Sequence, residues 1–256
     1  MDQLESKDTD VYQETLRLNR YLALAGVGSR RKNDELILSG AVKINHRVVT
    51  ELGTKVNVAR DRVSVNGNPV EIVHKYLYIL FNKPKDCITT LSDEKGRTTV
   101  LTYVRVRHRI FPVGRLDRDT TGVLLLTNDG DLAHRLTHPS SEIEKVYRAG
   151  LDKSFPEDHL RKLLKGVRLE DGQARAGRAA IVPGSRRKEV LVSVVEGRNH
   201  LVRRMFESLG YDVKKLERIN FAGLTTEGVA RGQWRFLHRN EVQYLKGFQA
   251  KSKTPK

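Results

Sequence analysis

Apolar positions along the chain follow two periods, and the change between them separates two regions. Leu18, Tyr21, Leu22 and Ala25 recur at helical spacing, so residues 16–25 predict a helix, stopped by Gly26-Val27-Gly28. Ser29 is placed to cap a second helix, which Leu36, Ile37 and Gly40 complete and end. Val42-Lys43-Ile44-Asn45 and Arg62-Val63-Ser64-Val65-Asn66-Gly67 alternate as strands do, the second closed by an Asn-Gly turn. A linker is expected over residues 69–75. Beyond it, residues 76–81 read as a buried strand ended by Asn82-Lys83-Pro84-Lys85.

The apolar stretch Ile110-Phe111-Pro112-Val113 then leads into a polar turn, and the apolar run 123–126 leaves it, a strand–loop–strand unit. Helices are expected at 132–136, 156–164 and 201–209, the last ended by Gly210, and strands at 145–151 and 189–195. Strand and helix do not alternate regularly. The fold class expected is therefore α+β: a small N-terminal domain of helices and strands, then a larger domain with a mixed, mainly antiparallel sheet.

Charge adds a partner to this picture. The 256 residues carry a formal charge of +16, from 47 Lys and Arg against 31 Asp and Glu, and such an excess points to a polyanion, nucleic acid first. It is unevenly spread: net −4 over residues 1–15, +5 over 16–72, +11 over 73–245 and +4 over 246–256. Residues 1–15 are expected to be a disordered leader and 246–256 a flexible basic tail. Arg30, Arg31 and Lys32 fall in the first turn of the second helix, where they oppose its dipole, a local conflict that suggests function. The single cysteine, Cys87, excludes a disulfide within the chain and a zinc site built on several thiolates. No apolar run is long enough to span a bilayer, and the acidic N-terminus does not read as a signal peptide. These features fit a soluble, cytoplasmic protein with no membrane partner.

The candidate chemistry lies in the loop Gly114-Arg115-Leu116-Asp117-Arg118-Asp119-Thr120-Thr121-Gly122. A carboxylate held between buried strands beside a cation is a candidate reactive group on a rigid support. Asp117, Asp119, Thr121 and Gly122 imitate the start of a calcium loop, but Asn128 stands where the twelfth-position Glu is needed. His134 and His138 stand four apart without a third ligand in view, and no phosphate-binding glycine pattern occurs. Neither a metal nor a nucleotide cofactor is indicated.

Three separated segments resemble the RNA pseudouridine synthases that modify bacterial ribosomal RNA. They are Phe81-Asn82-Lys83-Pro84, the stretch 114–130 continued by residues 132–139 and by Lys145-Val146-Tyr147, and Glu196-Gly197-Arg198-Asn199-His200-Leu201-Val202-Arg203-Arg204-Met205-Phe206. Their order fits a catalytic domain over about residues 75–245. Upstream, Arg17-Leu18-Asn19-Arg20-Tyr21-Leu22, Ser29-Arg30-Arg31 and Gly40-Ala41-Val42-Lys43-Ile44-Asn45 resemble the S-four-type RNA-binding domain, over about 16–72. The resemblance implies an isomerase that detaches uracil from ribose at nitrogen and reattaches it through carbon, with no cofactor, metal or second substrate. It makes Asp117 the essential carboxylate, as nucleophile or base on the ribose. It makes Tyr147 a base-stacking group that can take part in proton transfer, and Arg203 a cation paired with Asp117. Leu201 and Val202 would add an apolar wall. Leu201 departs from the family, which has Gln or Glu there.

The expected partner is ribosomal RNA, of the large subunit by preference, or an assembling ribosomal subunit. The target nucleotide must be everted from its helix, with Arg115 as wedge or phosphate clamp. Arg30, Arg31, Lys32 and Lys43 would grip phosphates. A monomer is the default that the resemblance implies. Two other readings stand beside the enzyme: a non-catalytic RNA-binding ribosome-assembly factor, and a metal-dependent nuclease using Asp117, Asp119 and Asp129.

Overall fold

The computed structural model describes residues 15–72, 75–91, 93 and 95–248, and the chain separates into two compact units, Met1–Lys75 and Tyr76–Lys256. Nearly all of the expected leader and tail lies outside the described residues.

In the first unit, β1 (Thr15–Arg17) is followed by α1 (Leu18–Leu24), α2 (Arg30–Leu38), β2 (Val42–Ile44), β3 (Arg47–Val48), β4 (Lys55–Asn57), β5 (Val63–Val65) and β6 (Asn68–Val70). The helix expected from residue 16 starts at Leu18, because residues 15–17 pair with β4 instead. Gly26, at φ +79°, lets the chain turn out of α1. Ser29 caps α2 by accepting from the Lys32 amide at 3.2 Å. Strands β3, β2, β5 and β6 form one sheet, and its β5–β6 hairpin turns at Asn66 and Gly67, both at positive φ, as an Asn-Gly turn requires. The expected linker is corrected here. Pro69 lies in β6, an edge strand, where a missing N–H costs no ladder bond. Leu18, Tyr21, Leu22, Ile37, Val42, Val56 and Val63 build the core.

The second unit contains β7 (Tyr78–Lys83), α3 (Val100–Tyr103), β8 (Phe111–Pro112), β9 (Thr120–Thr127), α4 (Gly130–Thr137), β10 (Lys145–Leu151), α5 (Glu157–Lys165), β11 (Val167–Leu169), β12 (Gly172–Ala174), β13 (Arg178–Ile181), β14 (Glu189–Val194), α6 (Leu201–Glu207), β15 (Val213–Phe221), β16 (Trp234–Phe236) and α7 (Arg239–Lys246). One sheet runs β13-β14-β10-β15-β9-β7-β16, with β8 paired to β9. Every pair in it is antiparallel except β15 with β9, which run parallel over Leu216–Arg218 and Thr120–Gly122. The fold is α+β.

The sheet is covered on both faces at its centre. Leu80, Val123 and Leu125 join Leu132 and Leu136 of α4 and Leu245 of α7, whereas Ile79, Phe81, Leu124 and Leu126 join Val100 of α3 on the other side. That explains the unbroken apolar run 123–126, since a strand buried on both faces does not alternate. A third cluster packs α5 and α6 against β10, β14 and β15.

Strand β7 begins and ends two residues later than expected, and Asn82 and Lys83 are buried within it. Both are satisfied there. Asn82 Nδ2 donates to Val229 O at 2.7 Å, and its Oδ1 accepts from Arg231 at 2.7 Å.

Candidate active site

The loop between β8 and β9 presents Asp117. Gly114 enters it at φ +74°. Leu116 is buried, and its backbone is held at both ends by Thr89, whose hydroxyl donates to Leu116 O at 2.7 Å and accepts from the Leu116 amide at 3.2 Å. On the other side of Asp117, the fully buried Lys83 ammonium donates to Arg118 O at 3.1 Å, Thr120 O at 2.8 Å and Pro84 O at 3.0 Å. Asp117 is thus the half-exposed residue between two clamped peptides. Burial pushes the Lys83 ammonium down to about 8, against the pull of Cys87, Asp117, Asp119 and Asp86.

The Asp117 carboxylate has His200 Nε2 at 3.5 Å from one oxygen and Thr120 Oγ1 at 3.5 Å from the other. His200 stands just before α6 in the left-handed region, at φ +50°. The ion pair expected between Arg203 and Asp117 does not form. Arg203 donates instead to Val213 O at 2.7 Å, satisfying the carbonyl that opens β15. Leu201 and Val202, expected as a wall of the site, are buried in the cluster that packs α6 on the sheet.

Tyr147 lies in β10, half-buried, and packs on both the α6 cluster and the cluster that holds Leu116. Its partner across the ladder is Arg218 of β15. Arg218 is 2% exposed; its Nε donates to Val123 O at 2.9 Å, and its guanidinium carbon lies 4.7 Å from the centre of the Phe221 ring. Arg115 is exposed at the loop surface. In the first unit, Arg30, Arg31, Lys32 and Lys43 are all exposed, and none forms an ion pair with a described residue.

The structure therefore gathers Asp117, Lys83, Thr89, Thr120 and His200 at the loop and sets Tyr147 opposite Arg218, while Arg203 turns to another task. Sequence reasoning passed over Lys83, His200 and Arg218 as individual site residues. Lys83 and His200 lie inside the segments that resemble the family, Phe81-Asn82-Lys83-Pro84 and residues 196–206. Arg218 had no signal, because β15 reads as a charged segment. Asp129, considered as a metal ligand, caps α4 by accepting from the Leu132 amide at 2.9 Å and also accepts from the Tyr78 hydroxyl at 2.9 Å. Among the described residues no group of three His, Cys, Asp or Glu side chains is placed to hold a metal ion, and no helix is long and apolar enough to cross a membrane.

Comparison with known proteins gives the same outline. The family model for RNA pseudouridylate synthase matches residues 77–208, and that for the S4 domain matches residues 16–61. Ribosomal large subunit pseudouridine synthase B of Bacillus subtilis is 44% identical over 234 residues, covering 90% of this chain and 95% of that protein. The protein of the same name from Buchnera aphidicola subsp. Baizongia pistaciae is 37% identical over 238 residues, covering 90% and 96%. A crystal structure of a pseudouridylate synthase superposes with a TM-score of 0.65 at 28% identity, covering 90% of this chain and 99% of that one. With a relative this similar along nearly its whole length, and the Asp117 loop held between paired strands, the chain belongs to the RNA pseudouridine synthase family and carries an N-terminal S4 domain.

Proposed function

We propose that this chain isomerises uridine to pseudouridine in large-subunit ribosomal RNA, free or within an assembling subunit, as a cytoplasmic monomer. The observation that carries this reading is Asp117 itself, a half-exposed carboxylate whose flanking peptides are clamped by Thr89 and Lys83. Such a group meets an everted nucleoside in a fixed direction, and fixed direction is what a displacement or proton abstraction at the ribose needs. The N1–C1′ bond breaks, the uracil turns, C5 bonds to C1′, and the C5 proton is released while N1 gains one. Tyr147 contributes its ring as a stacking surface and its hydroxyl as a proton carrier. Arg115 holds the space or a phosphate left by the everted base. Arg203 supports the site through the start of β15. The large-subunit substrate is carried over from the names of the Bacillus and Buchnera relatives.

The test uses unmodified ribosomal RNA tritiated at uracil C5. Release of label to water by the native chain, abolished in Asp117→Ala with RNA binding intact, is the expected result, and chelator should leave it unchanged. Tight binding without release would replace the enzyme by the assembly-factor reading. Release from small-subunit RNA alone would redirect the substrate.

A further inference from the structure

Among the described residues of the second unit, one fully buried cation takes no part in the loop around Asp117. Arg218 sits in the middle of the sheet, its side chain closed off from solvent, and no carboxylate of a described residue lies within ion-pair distance of it. Its Nη2 is buried and accepted by no group. Burying a cation without an anion is among the costlier things a protein core can do. A purely structural position would be filled better by an apolar side chain.

What surrounds Arg218 indicates its use. Strands β10 and β15 pair in register along most of their length, but between Val146 and Tyr147 the register shifts: Val146 faces Asn220 and Tyr147 faces Arg218, which leaves Ile219 unpaired. A bulge of this kind re-aims the neighbouring side chains, and here it sets Arg218 directly across from Tyr147. On its other side Arg218 pairs with Gly122 of β9, two residues past the start of that strand. A Cβ at Gly122 would stand 2.1 Å from Arg218 O, so the backbones approach as closely as only glycine allows. The Phe221 ring lies against the guanidinium, and Val123 O fixes Nε. The arginine is held by the ring and by the Val123 carbonyl, and the tyrosine stands directly across the ladder from it.

We propose that Arg218 is a positioning residue for the isomerisation, holding the Tyr147 hydroxyl and balancing the negative charge its oxygen gains when it gives up or shares a proton. This rests on Tyr147 being the proton carrier of the reading above. The identity of the nucleotide and the grip on RNA do not depend on it.

The test is a double-mutant cycle of Arg218→Lys and Tyr147→Phe in the full chain, read as single-turnover rates on tritiated ribosomal RNA with enzyme in excess. Arg218→Lys should lower the rate about 30-fold while KM stays within about 2-fold. In the Tyr147→Phe background the same change should cost less than about 3-fold, because the group it serves is gone. A comparable loss in both backgrounds, or a loss confined to KM, overturns the proposal and leaves the Tyr147 reading standing. Tyr147→Phe at the native rate removes the Tyr147 reading and, with it, the proposal, while Asp117→Ala still decides the activity. Should Arg218→Lys not fold, Phe221→Leu takes its place, loosening the guanidinium without altering its charge. It should slow the native chain several-fold and Tyr147→Phe hardly at all, and equal slowing of both overturns the proposal.

Discussion

The turn that carries Asp117 and the turn that opens α2 both expose charged side chains, yet they are built in opposite ways. Around Asp117 the neighbouring peptides are clamped by buried partners, and the one cation doing most of the holding, Lys83, is itself fully buried. At α2 the backbone is fixed by one serine cap, and Arg30, Arg31 and Lys32 reach into solvent with no ion pair to a described residue. The difference follows from the tasks. Bond-making at one carbon needs a carboxylate in one place. Phosphate contacts need charge that adapts to a backbone, and ordering it in advance against an acid would only compete with the ligand.

The comparison is broken most sharply at Asp117. Asp117→Asn keeps shape and polarity but removes the charge, so tritium release should fall by about 10⁴-fold while RNA affinity changes by less than about 3-fold. A fall in affinity that matched the fall in rate would mean that the loop grips RNA as the basic turn does, and the contrast would be lost.

The clamp comes next. Lys83→Met leaves the carbonyls of Pro84, Arg118 and Thr120 without their donor in a buried place, at a cost of about 2–4 kcal/mol, and lets Asp117 drift, which should slow turnover by about 10²-fold. The pH dependence has a definite sign. The folded chain releases the Lys83 proton near 8 and the unfolded chain near 10.5. Between those values the unfolded state holds more protons, so Lys83 makes the unfolding free energy rise with pH, and below 8 it adds no slope. Urea unfolding followed by Trp234, the single tryptophan, should show the stability of native relative to Lys83→Met climbing from pH 8 to 10.5. A falling difference would mean that bonds to the three carbonyls outweigh burial. Gly122→Ala tests the other edge of the loop. With φ +105° and a Cβ 2.1 Å from Arg218 O, it should destabilise the second unit by about 3 kcal/mol or more. A variant as stable as the native chain would show that β9 and β15 can part without harm.

How much of this was legible in the chain depended on whether a side chain sits where its chemistry suggests. The run 123–126 is apolar because both faces are covered, so the strand leaving the Asp117 loop could be read directly, and β10 was read residue for residue. Ser29 announced its cap. Lys83 and Arg218 did not announce themselves, since a buried cation looks like a surface one in a sequence. Their partners are carbonyls and a ring brought from distant strands, and no spacing rule reports those. The bulge at Ile219 shifts the register of β15 against β10, so neither period fits that segment. The ion pair of Arg203 with Asp117 was what the family resemblance implied. It failed because the Val213 carbonyl claims the guanidinium.

The smallest effects belong to the basic turn, and they sharpen the comparison from the other side. Replacing Arg30, Arg31 and Lys32 together by alanine should raise KM for ribosomal RNA about 10-fold, leave kcat within about 2-fold, and flatten the dependence of log affinity on log salt by about 2, as three released phosphate contacts would. The helix should survive the change. The Ser29 cap accepts from the backbone of residue 32, which alanine retains, and the three bases oppose the dipole at that end, so removing them should favour α2 slightly. Weaker binding with an unchanged or higher melting temperature therefore assigns the loss to charge. Weaker binding with a lower one would mean that these side chains hold the first unit together, as Lys83 holds the second, and that the two turns are not opposites after all.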